Sequence, residues 1–593
     1  NEVNAQFGKH TPLSKIGKNK AKLFSVPWIT KGIRKSIKVR DKLHRRFSII
    51  KANAAKQLLW TKYKKYRNMI TELLRKSKVN HYKLQFAENN ANYKKMWQNL
   101  NEIIYNKKQV LKSEKKIIVK NEQGAITNTK KTANLFNKYF SSVADKIKSK
   151  IRPEKEHFTL HLTQPNPETF LFQQCSPEEI TRLIDKLSNN KATGPNSIPT
   201  FILKEIKDLI ATPLSFLFNR SLNEGVFPDA FKIGKVIPIF KNGDKTQCCN
   251  YRPISLLSNI SKLLEKVIHT QLYRFLEDSN LFFKLQFGFR QNTSTNHALV
   301  NIINEIQSKL DKGLLSCGVF VDLQKAFDTV DHKILLKKLE HYGVRGITLK
   351  WFISYLKNRN QFVYVNGFSS KSSVIKHGVP QGSILGPLLF IIYINDLHKA
   401  IPNSTVHHFA DDTNFLLSDT SLKKLTLKIN QDMTCLSKWL RSNKLALNVS
   451  KTELIVFKRP SRILNFKYHF KIDGHKIKPK STIKYLGLTL DEHITWKPYL
   501  DQLTCKLNRA IGIISKLRHY TPLHFLKNVN YALFDSLLNY GCQVWGVSNQ
   551  SIIDKIQKLQ NRALRKITFT ARQTSISPVY KQLEILKFED MIH

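Results

Sequence analysis

In "LLWTKYKKYRNMITELL", residues 58–74, Leu59, Tyr63, Tyr66, Ile70 and Leu73 recur at steps of three and four. That spacing lines one face of an α-helix, and the lysines fall off the apolar stripe. The polar face is either simply solvated or a helix face against nucleic acid. "TANLFNKYFSSVADKI" (132–147) predicts another helix. Residues 150–175, with "RPEKEHFTLHLTQPNPETF", are rich in Pro, Thr and Gln, lack a period and read as a linker. From 176 to 457 short β-rich runs alternate with helical ones. "KVIPIF" (235–240), "CGVFVDL" (317–323), "QFVYVNG" (361–367) and "ELIVF" (453–457) predict strands. "SKLLEKVIHTQLYRFLE" (261–277) and "TLKINQDMTCLSKWLRSN" (426–443) predict helices. This alternation points to an α+β domain, with helices packed on one face of a largely antiparallel sheet. Beyond 500 the chain turns mostly helical, as in "DQLTCKLNRAIGIISKLRHY" and "DKIQKLQNRALRKI". No internal repeat is present.

Composition narrows the partners. The 593 residues suffice for two to four domains, and 41% apolar content supports true cores. The 98 Lys and Arg against 43 Asp and Glu give a formal charge of +55, the mark of a polyanion-binding chain, foremost nucleic acid. The first 80 residues are the most one-sided, with 22 bases against 3 acids. The longest apolar run, "PLLFIIYI" at 387–394, is far short of the roughly 20 residues that span a bilayer, so no membrane partner is expected. Seven scattered cysteines without a C-x-x-C exclude a disulfide framework and a zinc knuckle, and point to a reducing compartment.

Within this basic chain "HHFADDTNFLL" (407–417) sets Asp411 and Asp412 side by side between apolar runs with no Lys or Arg next to them. Two short strands joined by an acidic turn would present both carboxylates at a hairpin tip. Asp322 ends "CGVFVDL", a strand whose Val319 and Val321 face a core. If the strands are neighbours, three acids converge, and their repulsion calls for a hard divalent cation such as Mg²⁺. Two such ions are the apparatus of phosphoryl transfer. Between the acidic sites, "VPQGSILGP" offers Gly382 and Gly386 for close approach by another molecule. "KNGDKTQCCNYRP" offers Lys241 and Arg252 to a triphosphate.

In order along the chain stand "NKATGPNSIP", "KVIPIFKNGD", "NYRPISLLS", "LQFGFRQNTST", "FVDLQKAFDTVDH", "GVPQGSILGPLLFIIYIND", "FADD", "LNVSKTELIVF" and "KYLGLTLD". This series resembles the reverse transcriptases of non-LTR (LINE) retrotransposons, most closely the jockey-like group, from about residue 27 to the C-terminus. The resemblance implies a right-hand polymerase: a helical basic N-terminal extension binding RNA (1–150), a linker (151–175), fingers and palm (176–457), and primer grip, thumb and helical C-terminal region (458–593). It implies RNA-directed DNA synthesis in target-primed reverse transcription, with two Mg²⁺ ions, dNTPs, an RNA template and a DNA primer. Asp322 and Asp411 would be the main metal ligands and Asp412 a weaker one. Phe327 would be the gate against a ribose 2′-hydroxyl, and Gln381 and Gly382 would line the nascent base pair. Lys241 and Arg252 would grip the triphosphate, Lys451 would protonate departing pyrophosphate, and Tyr485, Leu486 and Gly487 would form the primer grip.

Other conspicuous residues read as structural. Asp328 and Asp331 frame a helix start, Trp351, Trp439, Trp496 and Trp545 fill cores, and strand alternation aims His407 and His408 to opposite faces, away from a ligand role. Asn196 stands where the family often has Asp. The missing initiator Met suggests a fragment, with an endonuclease domain expected upstream, and nothing after 500 resembles an RNase H site or a Cys/His cluster. Such an enzyme works in nucleus and cytoplasm as a ribonucleoprotein. The rival reading is a catalytically silent or repurposed nucleic-acid-binding copy; a maturase- or telomerase-like enzyme fits the motif wording less well.

Overall fold

The computed structural model describes residues 26–592 apart from 51, 90–91, 106–116, 122–123, 163, 190, 196–197, 465–468 and 548. The first 25 residues of the basic segment and Asn196 therefore lie outside the described residues. The chain divides into two compact units, one made of residues 1–112, 501–542 and 546–593, the other of 113–500 and 543–545.

The first unit opens with α1 (Lys31–Ile49) and α2 (Asn53–Glu88), followed by α3 (Tyr93–Tyr105). Thr30 starts α1 by accepting from Ile33 N. The two long helices pack on each other through Ile37 and Ile70, with Ile29 beside them. Of the predicted stripe, Ile70 is buried, Leu59, Tyr63 and Tyr66 are half-buried, and Leu73 stays exposed.

The second unit carries α4 (Thr129–Lys148), β1 (Ile233–Phe240), β2 (Tyr251–Leu256), α5 (Asn259–Asp278), α6 (Thr295–Asp311), β3 (Leu315–Val321), α7 (Ala326–Thr329) and α8 (His332–His341). It continues with β4 (Arg359–Val365), α9 (Leu385–Ile394), β5 (Thr405–Phe409), β6 (Asp412–Asp419), α10 (Leu422–Ser442), β7 (Glu453–Phe457), β8 (Thr482–Tyr485) and β9 (Leu488–Asp491). Four strands form an antiparallel sheet in the order β7-β3-β6-β5. A second sheet runs β2-β1-β4, with β1 and β2 antiparallel and β1 and β4 parallel. The result is a mixed helix-and-sheet fold.

The alternation along β3 explains why the first sheet is central. Leu315, Cys317, Val319 and Val321 share one core with Phe415 of β6, Leu454 of β7 and the apolar residues of α8, α9 and α10. α9 is apolar all round and buried from Leu385 to Ile394 except for Pro387, as a helix with no solvent face must be. Asp396 lies at zero exposure with the Lys338 ammonium and the Trp439 indole N–H both donating to it, so its charge is paired inside the core. Trp351, Trp439, Trp496 and Trp545 are all buried, as expected.

The unit boundaries differ from those read in the sequence. The segment of α4 folds with the sheets because its Phe136 and Phe140 pack against Val236 and Val363 of β1 and β4. Residues 458–500 stay with them too; Lys480 N, for example, donates to Leu454 O of β7. The expected linker is fastened to the same unit: Asn166 N and Phe170 N donate to the carbonyls of His341 and Gly343, and Phe170 is buried. After β9 come α11 (Lys497–Leu517), α12 (Leu523–Asn530) and α13 (Gln550–Thr568). No helix among the described residues is long and apolar enough to cross a membrane, and none of the seven cysteines forms a disulfide.

Candidate active site

The hairpin β5–β6 closes through Ala410, at φ 58, and Asp411, with Phe409 paired to Asp412. On its other side β6 pairs with β3, Thr413 opposite Val321. One further step along this register sets Asp412 opposite Asp322, the first residue past β3. Strand pairing alone thus gathers three acids, two adjacent and one about 90 residues earlier, at one end of the sheet.

Their electrostatics carry the mark of that gathering. Partial burial pushes the Asp412 carboxyl up to about 6, with the charges of Asp411 and Asp322 adding to the effect. Asp411 is raised too, first by burial and then by Asp322, while Arg252 and Lys241 pull it back down. Both side chains still reach solvent at the turn. An all-oxygen, anionic donor set of this kind suits a hard divalent cation. Among the described residues no group of three or more His, Cys, Asp or Glu is drawn tightly enough to hold a metal ion by itself. An ion at these carboxylates would have to complete its shell with water and phosphate oxygens.

Two segments position these acids. Asn448 Nδ2 donates to Asp322 Oδ2 at 2.6 Å and Asn448 N to the Asp322 carbonyl at 2.8 Å. Asp322 N lies 3.4 Å from Thr452 Oγ1. The "LNVSKTE" loop therefore wraps Asp322, and Lys451 sits exposed on it, its N–H donating to Asn448 O. The acidic turn is clamped from the other side by "LQFGF". Phe287 N donates to His408 O, His408 N to Leu285 O, and the buried Gln286 Oε1 accepts from both Gly288 N and Ala410 N. A Cβ on Gly288 would meet Ala410 N at 2.1 Å. Asn448, Gln286 and Gly288 were missed as site residues, although each lies in a motif that the sequence displays.

Lys241 and Arg252 lie on neighbouring strand ends, both exposed: Arg252 is within β2 opposite Ile239, and Lys241 N donates to Asn250 O. A third cation joins them. Lys325, left-handed at φ 48, points its ammonium at the carbonyls of Cys249 and Tyr251. Burial lowers its pKa, Asp328 opposes this, and Lys241 and Arg252 add to the lowering.

Phe327, in α7, stacks on Phe390 at 4.4 Å with Phe289 edge-on at 6.2 Å, and Val379 N donates to its carbonyl. Gln381 Nε2 donates to Asp328 Oδ1 at 2.8 Å and Gln381 O accepts from Ser255 N at 2.7 Å. Gly382, at φ 123, has no room for a Cβ because Ser255 O would lie 2.4 Å away. At Gly386 the close neighbours are Ser383 Oγ and Pro380 O. At both, the side a Cβ would take is filled by the chain's own atoms; Gly382 remains exposed, whereas Gly386 is buried, which corrects the expectation that it admits another molecule. Tyr485 and Leu488 pair across a two-residue turn of Leu486 at φ 41 and Gly487 at φ 89. Tyr485 packs edge-on against Phe320 of β3, 5.2 Å away.

The readings of the flanking residues hold with one refinement. Asp331 caps α8, accepting from Lys333 N and Ile334 N, whereas Asp328 lies inside α7 bonded to Gln381. His407 meets Asn301 Oδ1 and His408 meets Thr413 Oγ1. Burial lowers their pKa values to about 4 and about 3, so neither is charged at neutral pH.

The reverse transcriptase (RNA-dependent DNA polymerase) family matches residues 239–490, a span that contains all three acids. The chain is 28% identical over 426 residues to the RNA-directed DNA polymerase from mobile element jockey of Drosophila melanogaster, covering 70% of this chain and 46% of that protein. It is 30% identical over 442 residues to the probable RNA-directed DNA polymerase from transposon BS of the same fly, covering 70% and 47%. A putative 115 kDa protein in the type-1 retrotransposable element R1DM, also of that fly, is 25% identical over 374 residues, covering 62% and 36%. The chain spans less than half the length of these relatives. Residues 239–490 thus match the reverse transcriptase family, and the chain is similar over 70% of its length to proteins named as RNA-directed DNA polymerases from the mobile element jockey and the transposon BS.

Proposed function

We propose that this chain is an RNA-directed DNA polymerase that extends a DNA 3′-hydroxyl on an RNA template from dNTPs, in target-primed reverse transcription. The observation that carries the reading is the β3–β6 register, which brings Asp322 level with Asp412 beside Asp411. In this reading the four-stranded sheet with α8–α10 is the palm, the β2-β1-β4 sheet belongs to the fingers, and the helices after 497 include the thumb. The basic helices before 113 hold template RNA, with an affinity that falls steeply as salt rises, because counterion release drives such binding.

Asp322 and Asp411, with a weaker contribution from Asp412, would hold two Mg²⁺ ions. Such ions would supply charge neutralisation and a more acidic attacking hydroxyl. Asn448 fixes one oxygen of Asp322 and so restricts how the carboxylate can turn. Arg252 and Lys241 orient the triphosphate and offset charge that accumulates on it. Lys451 Nζ holds the proton that the departing pyrophosphate takes up. Phe327, backed by Phe390, excludes a 2′-hydroxyl; Gln381 and Gly382, tied to β2, line the nascent pair; the Tyr485–Gly487 turn steadies the primer. The parent element would supply an endonuclease upstream, and the complex would work in nucleus and cytoplasm as a ribonucleoprotein.

Primer extension on poly(rA) primed with oligo(dT) tests the reading. Synthesis by the native chain and its loss in Asp411→Ala support it; no synthesis by either protein contradicts it.

A further inference from the structure

Within the unit that holds the N-terminal and C-terminal helices, an open groove of about 810 Å³ is lined by Lys83, Phe86, Arg518, His519, His524 and Phe569, with no acid among its lining residues. Phe569 is the unusual member. It follows α13 with φ 59 and ψ 17, a left-handed position that glycine or asparagine normally occupies at a helix end and that strains a bulky side chain. Packing occupies only part of the ring, since the residue is 52% exposed. The Arg518 guanidinium lies over its ring at 3.5 Å and His519 meets it edge-on at 5.5 Å. A strained, half-exposed ring backed by a guanidinium and set among bases is suited to a ligand that is both flat and anionic.

We propose that this groove seats one unstacked base of a single-stranded RNA, with the base on the exposed part of the Phe569 ring and the adjoining phosphates on Lys83 and His519. A duplex hides its base faces and would leave the ring unused. An acidic peptide would satisfy the cations without needing an aromatic surface. The choice of RNA rests on the polymerase reading, whose template is RNA, but the groove needs only binding and no chemistry at Asp322 or Asp411.

The test uses the full chain without dNTPs or metal, so an inactive polymerase centre cannot affect it. A short fluorescein-labelled oligoribonucleotide is titrated against the native chain and Phe569→Gly by anisotropy. An abasic strand of equal length, the matching single-stranded DNA and polyglutamate serve as comparisons. Glycine suits the backbone at 569, so Phe569→Gly should melt no lower than the native chain. Its affinity for the base-bearing RNA should fall roughly 5- to 150-fold, while the abasic strand binds both proteins alike. A 4-thiouridine in the strand should cross-link to the peptide carrying Phe569. Unchanged RNA affinity in Phe569→Gly overturns the proposal, as does a melting point that drops with the affinity. Tighter binding of the single-stranded DNA overturns the choice of RNA, and displacement by polyglutamate at equal charge reassigns the groove to acidic peptides.

Discussion

The side-chain carbonyl of Gln286 accepts the backbone N–H of Ala410 at 3.2 Å and that of Gly288 at 2.9 Å. One buried amide therefore joins the acidic turn to a segment more than 120 residues earlier in the chain. Because Gly288 lies where a Cβ would meet Ala410 N at 2.1 Å, Gly288→Ala must push the turn away. A displacement of about 1 Å costs on the order of 100-fold in rate. Primer extension by Gly288→Ala should fall by about that factor, whereas RNA affinity stays near that of the native chain.

Asn448 acts on Asp322 in the same indirect way. Its amide fixes one carboxylate oxygen, and loss of such a partner typically weakens metal affinity about 10- to 100-fold. Asn448→Ala should therefore need more Mg²⁺ for half-maximal synthesis, with activity partly restored at high Mg²⁺. A reduced rate with an unchanged Mg²⁺ requirement would show that Asn448 does not work through the metal ligand.

Asp331 gives a pH-dependent prediction away from the chemistry. Burial alone would raise its carboxyl, but the Lys148 and Lys444 ammoniums, each bonded to it, hold it well below the ordinary carboxylate range. A depressed acid contributes stability above its unfolded pKa and loses it as pH falls through the folded value. Removing one partner from a buried pair costs about 3 kcal/mol, so Asp331→Asn should melt markedly lower at pH 7. The gap should begin to close only below about pH 4, as the native chain loses the same charge. Thermal denaturation across pH 3 to 8, with salt held constant, reads this directly.

Phe327 is held from behind by Phe390, which keeps its ring from yielding. Phe327→Ala should raise incorporation of ribonucleotides relative to deoxynucleotides by at least about tenfold, a difference of roughly 1.4 kcal/mol in transition-state discrimination. Competing rUTP against dTTP on poly(rA) measures it, and an unchanged ratio would remove the gate from Phe327.

The fold was legible where periodicity was strong. β7 has its predicted limits, the helix at 261–277 extends only slightly beyond its own, and the helix at 426–443 begins four residues earlier and ends one residue sooner. The three acids were legible because the strand patterns around them were clear. Less visible was whatever depended on partners distant in sequence. The segment 150–175 has no period, yet its backbone is fastened to 341–343 by hydrogen bonds that local composition cannot signal. Gly386 looked like an opening for a ligand because sequence shows that a side chain is missing, not that the residue is buried against Ser383 Oγ and Pro380 O. Asn448, Gln286 and Lys325 were overlooked for a related reason: each acts through a backbone or carboxylate that only the folded chain brings near.

The most direct measurement replaces Mg²⁺ with Fe²⁺ in the presence of template, primer and dNTP, and maps where the locally generated radicals cut the backbone. The account predicts cleavage at two separate places, around Asp322 and around Asp411–Asp412, both suppressed by excess Mg²⁺ and both lost in Asp322→Ala. Cleavage at only one of these places, or at neither, would contradict a cation shared by the ends of β3 and β6.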